Sequence, residues 1–269
     1  PGITIGGGLI TVGSGLQASS GSASLDASNH GGVTVHIESS DPTRVLVSPN
    51  ATTAGTASID VPVANGGSSA PYHIQGMEGV TGSATITATA PGFTASAPQT
   101  VNVVQPGLQI SRLLPTTTTS LSPDSPFYIE VGIPSSGNTG FSNYQPVRAG
   151  GVALTATVTN SNGTVAQLIT TAGSAQSRTV TIGVGQAYSH NSVAAGGVAF
   201  DPLTSGSTTV SATIPGFIAT TAATRNVTVS SPGITIGGGL ITVGSGLQAS
   251  SGYANLDASN HGGVTVHIE

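Results

Sequence analysis

The sequence predicts an all-β protein built from tandem β-sandwiches, and three observations support this prediction. Apolar and polar residues alternate along short segments, glycine and proline interrupt these segments at intervals of about 8 to 12 residues, and the pattern recurs along the chain. Alternation with a period of two places the apolar side chains on one face of a strand. No segment keeps the helical period of about 3.6 residues for three turns, so we expect no long helix.

The alternation is clearest in residues 33–38, where Val, Val and Ile are separated by Thr, His and Glu. Residues 84–88, 152–158 and 180–184 follow the same pattern. A slip of one residue would turn every side chain to the opposite face, so the pattern specifies the register. The predicted inward side chains are Val33, Val35, Ile37, Ile86, Val152, Leu154 and Val210, and the predicted outward ones are His36, Thr87 and Thr155.

A long repeat organises the chain. Residues 1–38 recur almost unchanged as residues 232–269, which gives a period of 231 residues. We therefore expect the chain to be a window of a longer array, in which residues 232–269 open the next repeat. The alternative is that this segment docks onto another subunit by strand addition. The two differences between the copies are Ser22 to Tyr253 and Ser24 to Asn255.

Each period contains a second, more divergent repeat. Residues 82–93 (GSATITATAPGF) resemble residues 206–217 (GSTTVSATIPGF), and a Pro-Gly pair followed by an apolar strand begins at positions 1, 106 and 232. The linkers between these units are almost absent, which predicts stiff joints rather than flexible Gly/Ser coils. The predicted units are a sandwich over 1–105, a sandwich over 106–231 with an insert at 135–149, and a partial third domain over 232–269.

Several segments of the first unit resemble a bacterial immunoglobulin-like (Big) domain. They are GGVTVHIESSDPTRVLVSP at 31–49, AGTASIDVPV at 54–63, GSATITATAPGF at 82–93 and TVNVV at 100–104, in the order typical of that family. The second unit departs from it, because it carries the insert and has Thr-Asn-Ser-Asn-Gly in place of the SSDP turn. The resemblance implies tandem immunoglobulin-like sandwiches of an extracellular bacterial protein, as in the stalks of intimin- and invasin-type adhesins.

The composition argues against several classes of function. The chain has five arginines, no lysine and ten acidic residues, so it lacks the basic surface that nucleic acid or an anionic membrane requires. No uncharged apolar run approaches the roughly 18 residues of a membrane span, which argues against membrane insertion. Because cysteine is absent, neither disulfides nor thiolate metal sites can hold the fold.

Catalytic and metal motifs are also missing from the sequence. There is no Gly-x-Ser-x-Gly elbow, no phosphate-binding loop and no HExxH pair, so we expect no enzyme activity, no cofactor and no metal. His30 falls in a turn and His36 on the polar face of a strand, and His261 and His267 are their copies. Calcium at the joints is not expected either, since neither linker contains a carboxylate.

The low charge leads to the functional prediction. Few charged side chains are available to stop strand edges from pairing, so the expected partner is the protein itself, through axial or lateral contacts. The candidate contact residues are Phe141, Tyr144 and Tyr253. The sequence thus predicts a structural repeat segment of a long extracellular bacterial fibre, stalk or filament. The alternative is an adhesin module that binds a glycan or a host protein through loops such as 135–147, where Phe141, Tyr144 and nearby Tyr128 supply aromatic rings.

Overall fold

The structure, a computed structural model, describes residues 1–6, 10–113, 116–238, 242–248, 252–257 and 263–268. The predicted all-β fold is confirmed, since the described residues form β-strands, turns and three single-turn 3-10 helices. No helix in this part of the chain is long and apolar enough to cross a membrane.

In its described residues, 1–6 and 10–105, the first sandwich has nine strands in two sheets. The first sheet has the order β1-β3-β7-β5 and the second β2-β9-β8-β4-β6, with β2 running parallel to β9. The strands are β1 (Ile3–Ile5), β2 (Ile10–Gly13), β3 (Gln17–Leu25), β4 (Val33–Ser39), β5 (Val45–Ser48), β6 (Ser58–Val63), β7 (Ser69–Gly76), β8 (Gly82–Thr89) and β9 (Gln99–Val104).

The second sandwich repeats this arrangement with three additional short strands, β13, β16 and β20. Its sheets have the orders β16-β15-β18-β12-β10-β20, with β13 also paired to β12, and β11-β21-β19-β14-β17. The strands are β10 (Gly107–Ser111), β11 (Thr117–Thr119), β12 (Ser125–Pro134), β13 (Phe141–Tyr144), β14 (Leu154–Asn160), β15 (Ala166–Thr170), β16 (Gly173–Ala175), β17 (Ser177–Ile182), β18 (Val198–Pro202), β19 (Gly206–Thr213), β20 (Ile218–Ala219) and β21 (Thr224–Ser230). The 3-10 helices are Ser136–Asn138, Val193–Ala195 and Thr221–Ala223.

The two sandwiches share one strand order. The series β1-β3-β7-β5 corresponds to β10-β12-β18-β15, and β2-β9-β8-β4-β6 corresponds to β11-β21-β19-β14-β17. Both match the immunoglobulin-like pattern, in which one sheet holds the strands named A, B and E and the other holds the strands named C, F and G. The fold is therefore a tandem of immunoglobulin-like β-sandwiches.

The last hairpin differs in length between the sandwiches. Ile86 pairs with Gln99 in the first, whereas Val210 pairs with Arg225 in the second, so the second hairpin is two residues longer. The resemblance of 82–93 to 206–217, with an Asn-Val pair following each at 102–103 and 226–227, predicts that Gly82–Val103 superposes on Gly206–Val227. This prediction is wrong in the final strand. Val103 corresponds to Val229, because these residues face Gly82 and Gly206 respectively.

Burial agrees with most of the predicted register. Val35, Ile37, Ile86 and Val210 are fully buried, and Val33 and Leu154 are partly buried against the cores. The predicted burial of Val152 is wrong, because this side chain is 77% exposed. Its ladder begins only at Leu154, so Val152 lies in the irregular segment between the turn at 149–151 and the strand and has no inward face.

This correction predicts a contrast between two valines of the same segment. Val152→Ala should change the free energy of unfolding by less than about 0.5 kcal/mol, as exposed substitutions do. Val158→Ala should lower it by about 2 kcal/mol, because Val158 is fully buried and its truncation leaves a cavity. Urea denaturation of the two variants measures both values, and equal effects would contradict the observed register.

The third segment contains one described hairpin. Strand β22 (Ile234–Gly237) pairs with β23 (Tyr253–Leu256), and Ile234 faces Leu256 just as Ile3 faces Leu25 in the first sandwich. Ile3 is buried there, whereas Ile234 is exposed. The hairpin thus keeps the pairing of the first copy while its apolar face stays uncovered.

Candidate functional site: the joint between the two sandwiches

The most elaborate polar arrangement in the described chain lies where the first sandwich meets the second. The turn 13–17, which connects β2 to β3, pairs with the segment 145–148 that follows β13. Gln17 N donates to Pro146 O at 2.9 Å, and Arg148 N donates to Gly15 O at 3.1 Å. These two bonds form a short antiparallel bridge between residues 16 and 147.

Leu16 is the apolar centre of this joint. It belongs to the first sandwich by position in the chain, yet it is 0% exposed and packs in the hydrophobic core of the second sandwich. Its neighbour across the bridge, Val147, is buried in the same cluster. Burial of a complete leucine side chain contributes about 1.5 to 3 kcal/mol, so this residue fastens one sandwich to the other.

Two buried glutamines satisfy the backbone groups around Leu16. The Gln145 side chain donates from Nε2 to Thr11 O and accepts the Gly13 N–H at Oε1, both at 2.9 Å. Gln17 Oε1 accepts the Ala149 N–H at 2.9 Å. Each amide thus supplies hydrogen-bond partners across the joint, which avoids the cost of burying unpaired polar groups.

An ion pair completes the joint. Arg148 donates from Nε to Glu78 Oε1 at 2.8 Å and from Nη2 to Glu78 Oε2 at 2.7 Å. The arginine side chain is 10% exposed and the glutamate side chain 43% exposed. A bidentate pair fixes the guanidinium in one orientation, so it restricts rotation of one sandwich against the other as well as their separation.

Two glycines allow the backbones to approach at this point. Gly150 has a φ of 75°, and a Cβ there would lie 2.5 Å from the Ala54 Cβ. A Cβ on Gly151 would lie 2.8 Å from Glu78 Oε1. A side chain at Gly150 would push against the backbone around Ala54, and a side chain at Gly151 would displace the Glu78 carboxylate.

The structure divides the predicted insert into two functional parts. Gln145 and Val147 are buried in the joint and are not available to an external partner. Phe141 and Tyr144 lie on β13 at the edge of the sheet, with their rings edge to face at a centroid distance of 5.3 Å. Tyr144 is exposed and lines a cavity of about 150 Å³ between the sandwiches, which His73 also lines. Burial lowers the pKa of His73, which favours its neutral form in this cavity.

A row of polar and aromatic side chains continues from Tyr144 over the outer face of the same sheet. Gln109 Nε2 donates to Glu130 Oε2 at 2.7 Å and lies 3.3 Å from Tyr144 Oη. Beyond Glu130, the Tyr128 and Tyr188 rings are 5.7 Å apart. The third candidate contact residue, Tyr253, lies elsewhere, with its ring over Gly237 of its own hairpin.

The histidines behave as structural residues where they are described. His30 Nε2 is 3.0 Å from Gly67 O, and its Nδ1 accepts the Gly32 N–H, which fits the predicted turn. His36 Nδ1 is 2.8 Å from Asp60 Oδ1 across the β4–β6 ladder. His261 lies outside the described residues.

The joint contains a carboxylate that inspection of the linkers did not reveal. Glu78 comes from the loop after β7 and not from the linker, and its charge is compensated by Arg148 rather than left for a cation. Among the residues that the structure describes, no three histidine and carboxylate side chains lie close enough to share a metal ion.

We therefore expect the melting temperature to be the same, within error, with and without a metal chelator. A ligand that binds only the folded state stabilises it in proportion to its occupancy, so removal of a bound ion would lower the melting temperature. Thermal unfolding followed by circular dichroism measures the effect. A fall of several degrees in the chelator would demonstrate an ion linked to folding.

Sequence reasoning missed the residues that make the joint. Leu16, Gln17 and Gln145 follow no motif, and their role depends on contacts between segments about 130 positions apart. One signal was available: Arg148 is one of only five basic residues, so a role in an ion pair was worth considering.

Comparisons with known proteins give likenesses of low similarity. No family model and no curated protein matches the sequence. Domains 5–6 of the S-layer protein SbsC superpose with a TM-score of 0.28 at 17% identity, covering 86% of this chain and 97% of that one. The D0-D1 domain of intimin superposes with a TM-score of 0.27 at 13% identity, covering 85% of this chain and 97% of that one. The Yersinia pseudotuberculosis adhesin InvE superposes with a TM-score of 0.28 at 14% identity, covering 85% of this chain and 58% of that one. Scores this low carry no conclusion about function.

Proposed function

We propose that this chain is a structural repeat segment of a long extracellular bacterial fibre, stalk or filament, made of immunoglobulin-like domains of the Big type. The observation that carries the proposal is the joint, in which one sandwich inserts a leucine into the core of the next. The partner is the protein itself, through axial contacts between successive domains. Lateral pairing of such arrays stays a prediction.

A mechanical role follows from the way the joint distributes its contacts. The linker holds only Gln105 and Pro106, while Leu16, the glutamine amides and the Arg148–Glu78 pair fix the second sandwich at separate points. Several separate attachment points restrict rotation of one sandwich against the other more than the linker alone would. The two sandwiches should therefore behave as one stiff rod, and such a role requires neither an active site nor a cofactor.

Two measurements on native material test this proposal. Negative-stain images should show straight fibres whose axial repeat equals the length of one two-sandwich period. Boiling in detergent followed by electrophoresis should leave material of very high mass, because successive periods are covalently continuous. A discrete band near 26 kDa without evidence of proteolysis, or fibres without axial periodicity, would count against the proposal.

One observation supports a second candidate function, which is binding of a neutral saccharide. Three of the five tyrosines, Tyr128, Tyr144 and Tyr188, lie along the outer face of the sheet that contains β10 and β12. Glu130 lies between these rings and is only 9% exposed. Both bonds that the structure describes for its carboxylate, from Gln109 and Ser111, use Oε2. Within the described part of the chain, Oε1 thus keeps its capacity to accept hydrogen bonds from a ligand.

This combination suits sugar rings, because their apolar faces stack on aromatic side chains while their hydroxyl groups donate to carboxylate and amide oxygens. Calorimetric titration of the protein with neutral oligosaccharides of hexoses and N-acetylhexosamines tests the idea. Where binding is found, Tyr128→Ala and Tyr188→Ala should each weaken it about tenfold, since an aromatic contact contributes about 1 kcal/mol or more. Tyr253→Ala is the matched control and should leave the affinity unchanged. No binding at millimolar concentrations would reject this candidate.

A further inference from the structure

The turn at 244–248 in the third segment is a second copy of the turn that forms the joint. Residues 242–248 have the sequence of residues 11–17. The local geometry is also the same: Leu16 N donates to Gly13 O, and Leu247 N to Gly244 O, both at 2.9 Å. The turn is thus preformed in the third segment.

The two copies differ in their surroundings. Val12 and Leu16 are each 0% exposed, whereas their counterparts Val243 and Leu247 are 52% and 73% exposed. Gly15 and Gly246 share a left-handed backbone, with φ angles of 76° and 74°. A turn that holds its bound conformation without a partner loses little conformational entropy on docking, which favours tight association.

We propose that this turn is a docking surface for a copy of the loop Gln145–Gly150. That copy lies one period further along the polypeptide, in the next domain equivalent to residues 106–231. The inference rests on the proposed array. Its occupant is specified by chemistry, because each group of the turn 11–17 that receives this loop in the first joint has a counterpart among 242–248. Thr242 O and Gly244 N correspond to the groups that bind the Gln145 amide, and Leu247 corresponds to the leucine that enters the neighbouring core.

The inference distinguishes two kinds of joint in the array. The contacts of the first joint recur once per period, wherever a domain equivalent to 106–231 follows a domain equivalent to 1–105. At the other joint, Ser122 occupies the position of Leu16, since Ser122 N donates to Thr119 O as Leu16 N donates to Gly13 O. The neighbouring Leu121 lines a cavity of about 160 Å³ with Pro232, Ile234 and Leu256. Joints with the contacts of the first joint and joints with a different contact therefore alternate along the proposed fibre.

Hydrogen exchange provides a test without substitutions. In the 269-residue chain, we expect the amide of Gln17 to exchange at least about 100-fold more slowly than that of Gln248, because only Gln17 has its acceptor on Pro146. In a chain of residues 1–269 followed by a second copy of 39–231, Gln248 should become as protected as Gln17. Peptides that include position 22 or 253 separate the copies by mass, since these residues are Ser and Tyr. Unchanged fast exchange at Gln248 would overturn the inference.

A disulfide test in the same two-period chain identifies the occupant. Leu16 and Val147 face each other at a bridge flanked by two hydrogen bonds, where the Cβ atoms approach closely and a disulfide can form. Because the natural chain has no cysteine, Leu247→Cys combined with cysteine at the copy of Val147 in the second period allows only one disulfide within a molecule. We expect nearly complete oxidation within one molecule, as for the positive control Leu16→Cys with Val147→Cys.

The matched negative control combines Leu247→Cys with cysteine at the copy of the exposed Val152 in the second period. These two cysteines should stay reduced. Failure of the Leu247 pair while the Leu16 pair forms would overturn the inference, and so would a disulfide between two molecules. Either result is compatible with straight periodic fibres, so it would leave the proposed function standing. Fibres without a 231-residue axial period would reject the proposed function, whatever the disulfides show.

Discussion

Leu16→Ala is expected to lower the free energy of unfolding of the second sandwich by about 2 to 5 kcal/mol. The substitution lies outside that sandwich in sequence, yet it removes a fully buried side chain from its core. The cavity that remains cannot collapse freely, because the turn is held at both ends by backbone hydrogen bonds to 146 and 148. The first sandwich should lose much less, since Leu16 is not part of its core cluster.

The repeat itself supplies the matched control for this prediction. Leu247→Ala makes the same change in the same local sequence, at a side chain that is 73% exposed, and should alter the unfolding free energy by less than about 0.5 kcal/mol. Urea denaturation followed by tyrosine fluorescence suits the measurement, because the second sandwich contains Tyr128, Tyr144 and Tyr188 and the first contains Tyr72. Equal losses in the two variants would show that Leu16 does not stabilise the second sandwich.

The second large effect is expected at the ion pair of the joint. Glu78→Gln leaves the Arg148 guanidinium buried without its carboxylate, and we expect this to weaken closure of the joint by about 1 to 3 kcal/mol. Arg148→Met keeps most of the buried stem and leaves Glu78 half exposed to water, so its cost should be smaller. The asymmetry arises because the charge left behind is buried in one case and solvated in the other.

Small-angle X-ray scattering and hydrogen exchange at residues 13–17 detect opening of the joint directly. The Glu78→Gln chain should show a broader distribution of interatomic distances and faster exchange there, with the sandwich cores still protected. The double variant should open less than the sum of the single effects, since neither charge is then stranded. Additive effects would mean that the two side chains do not interact in solution.

Much of the fold follows from local pattern. Alternation specified the inward faces of Val35, Ile37 and Val210 correctly, because a half-buried strand leaves one face to the core. The prediction for Val152 was wrong because the alternation of apolar and polar residues begins before the β14–β17 ladder does. The residue pattern alone does not mark the first hydrogen-bonded pair. The extra two residues of the last hairpin were hidden by the recurring Asn-Val pairs, which occupy different register positions in the two sandwiches.

The joint could not be predicted in the same way. Its polar contacts use glutamine side chains. The local sequence does not distinguish a glutamine that lies in an interface from one on the free surface. Leu16 resembles an ordinary turn leucine until the neighbouring domain is present. The sequence grouped Phe141, Tyr144 and Tyr128 as candidate aromatic residues, and their role in contacts stays a prediction. Their arrangement depends on the pairing of β12 with β13. Long-range pairing decides these contacts, and the local sequence does not contain it.

The largely uncharged character of the joint determines how its stability should respond to dissolved salt. Apart from Arg148 and Glu78, the groups that hold the two sandwiches together are amides, backbone groups and aliphatic carbons. Dissolved salt screens charges but has little effect on short amide hydrogen bonds and buried alkyl surface. In the proposed array, added salt should therefore weaken only the contribution of the Arg148–Glu78 pair and leave the other contacts of each joint almost unchanged.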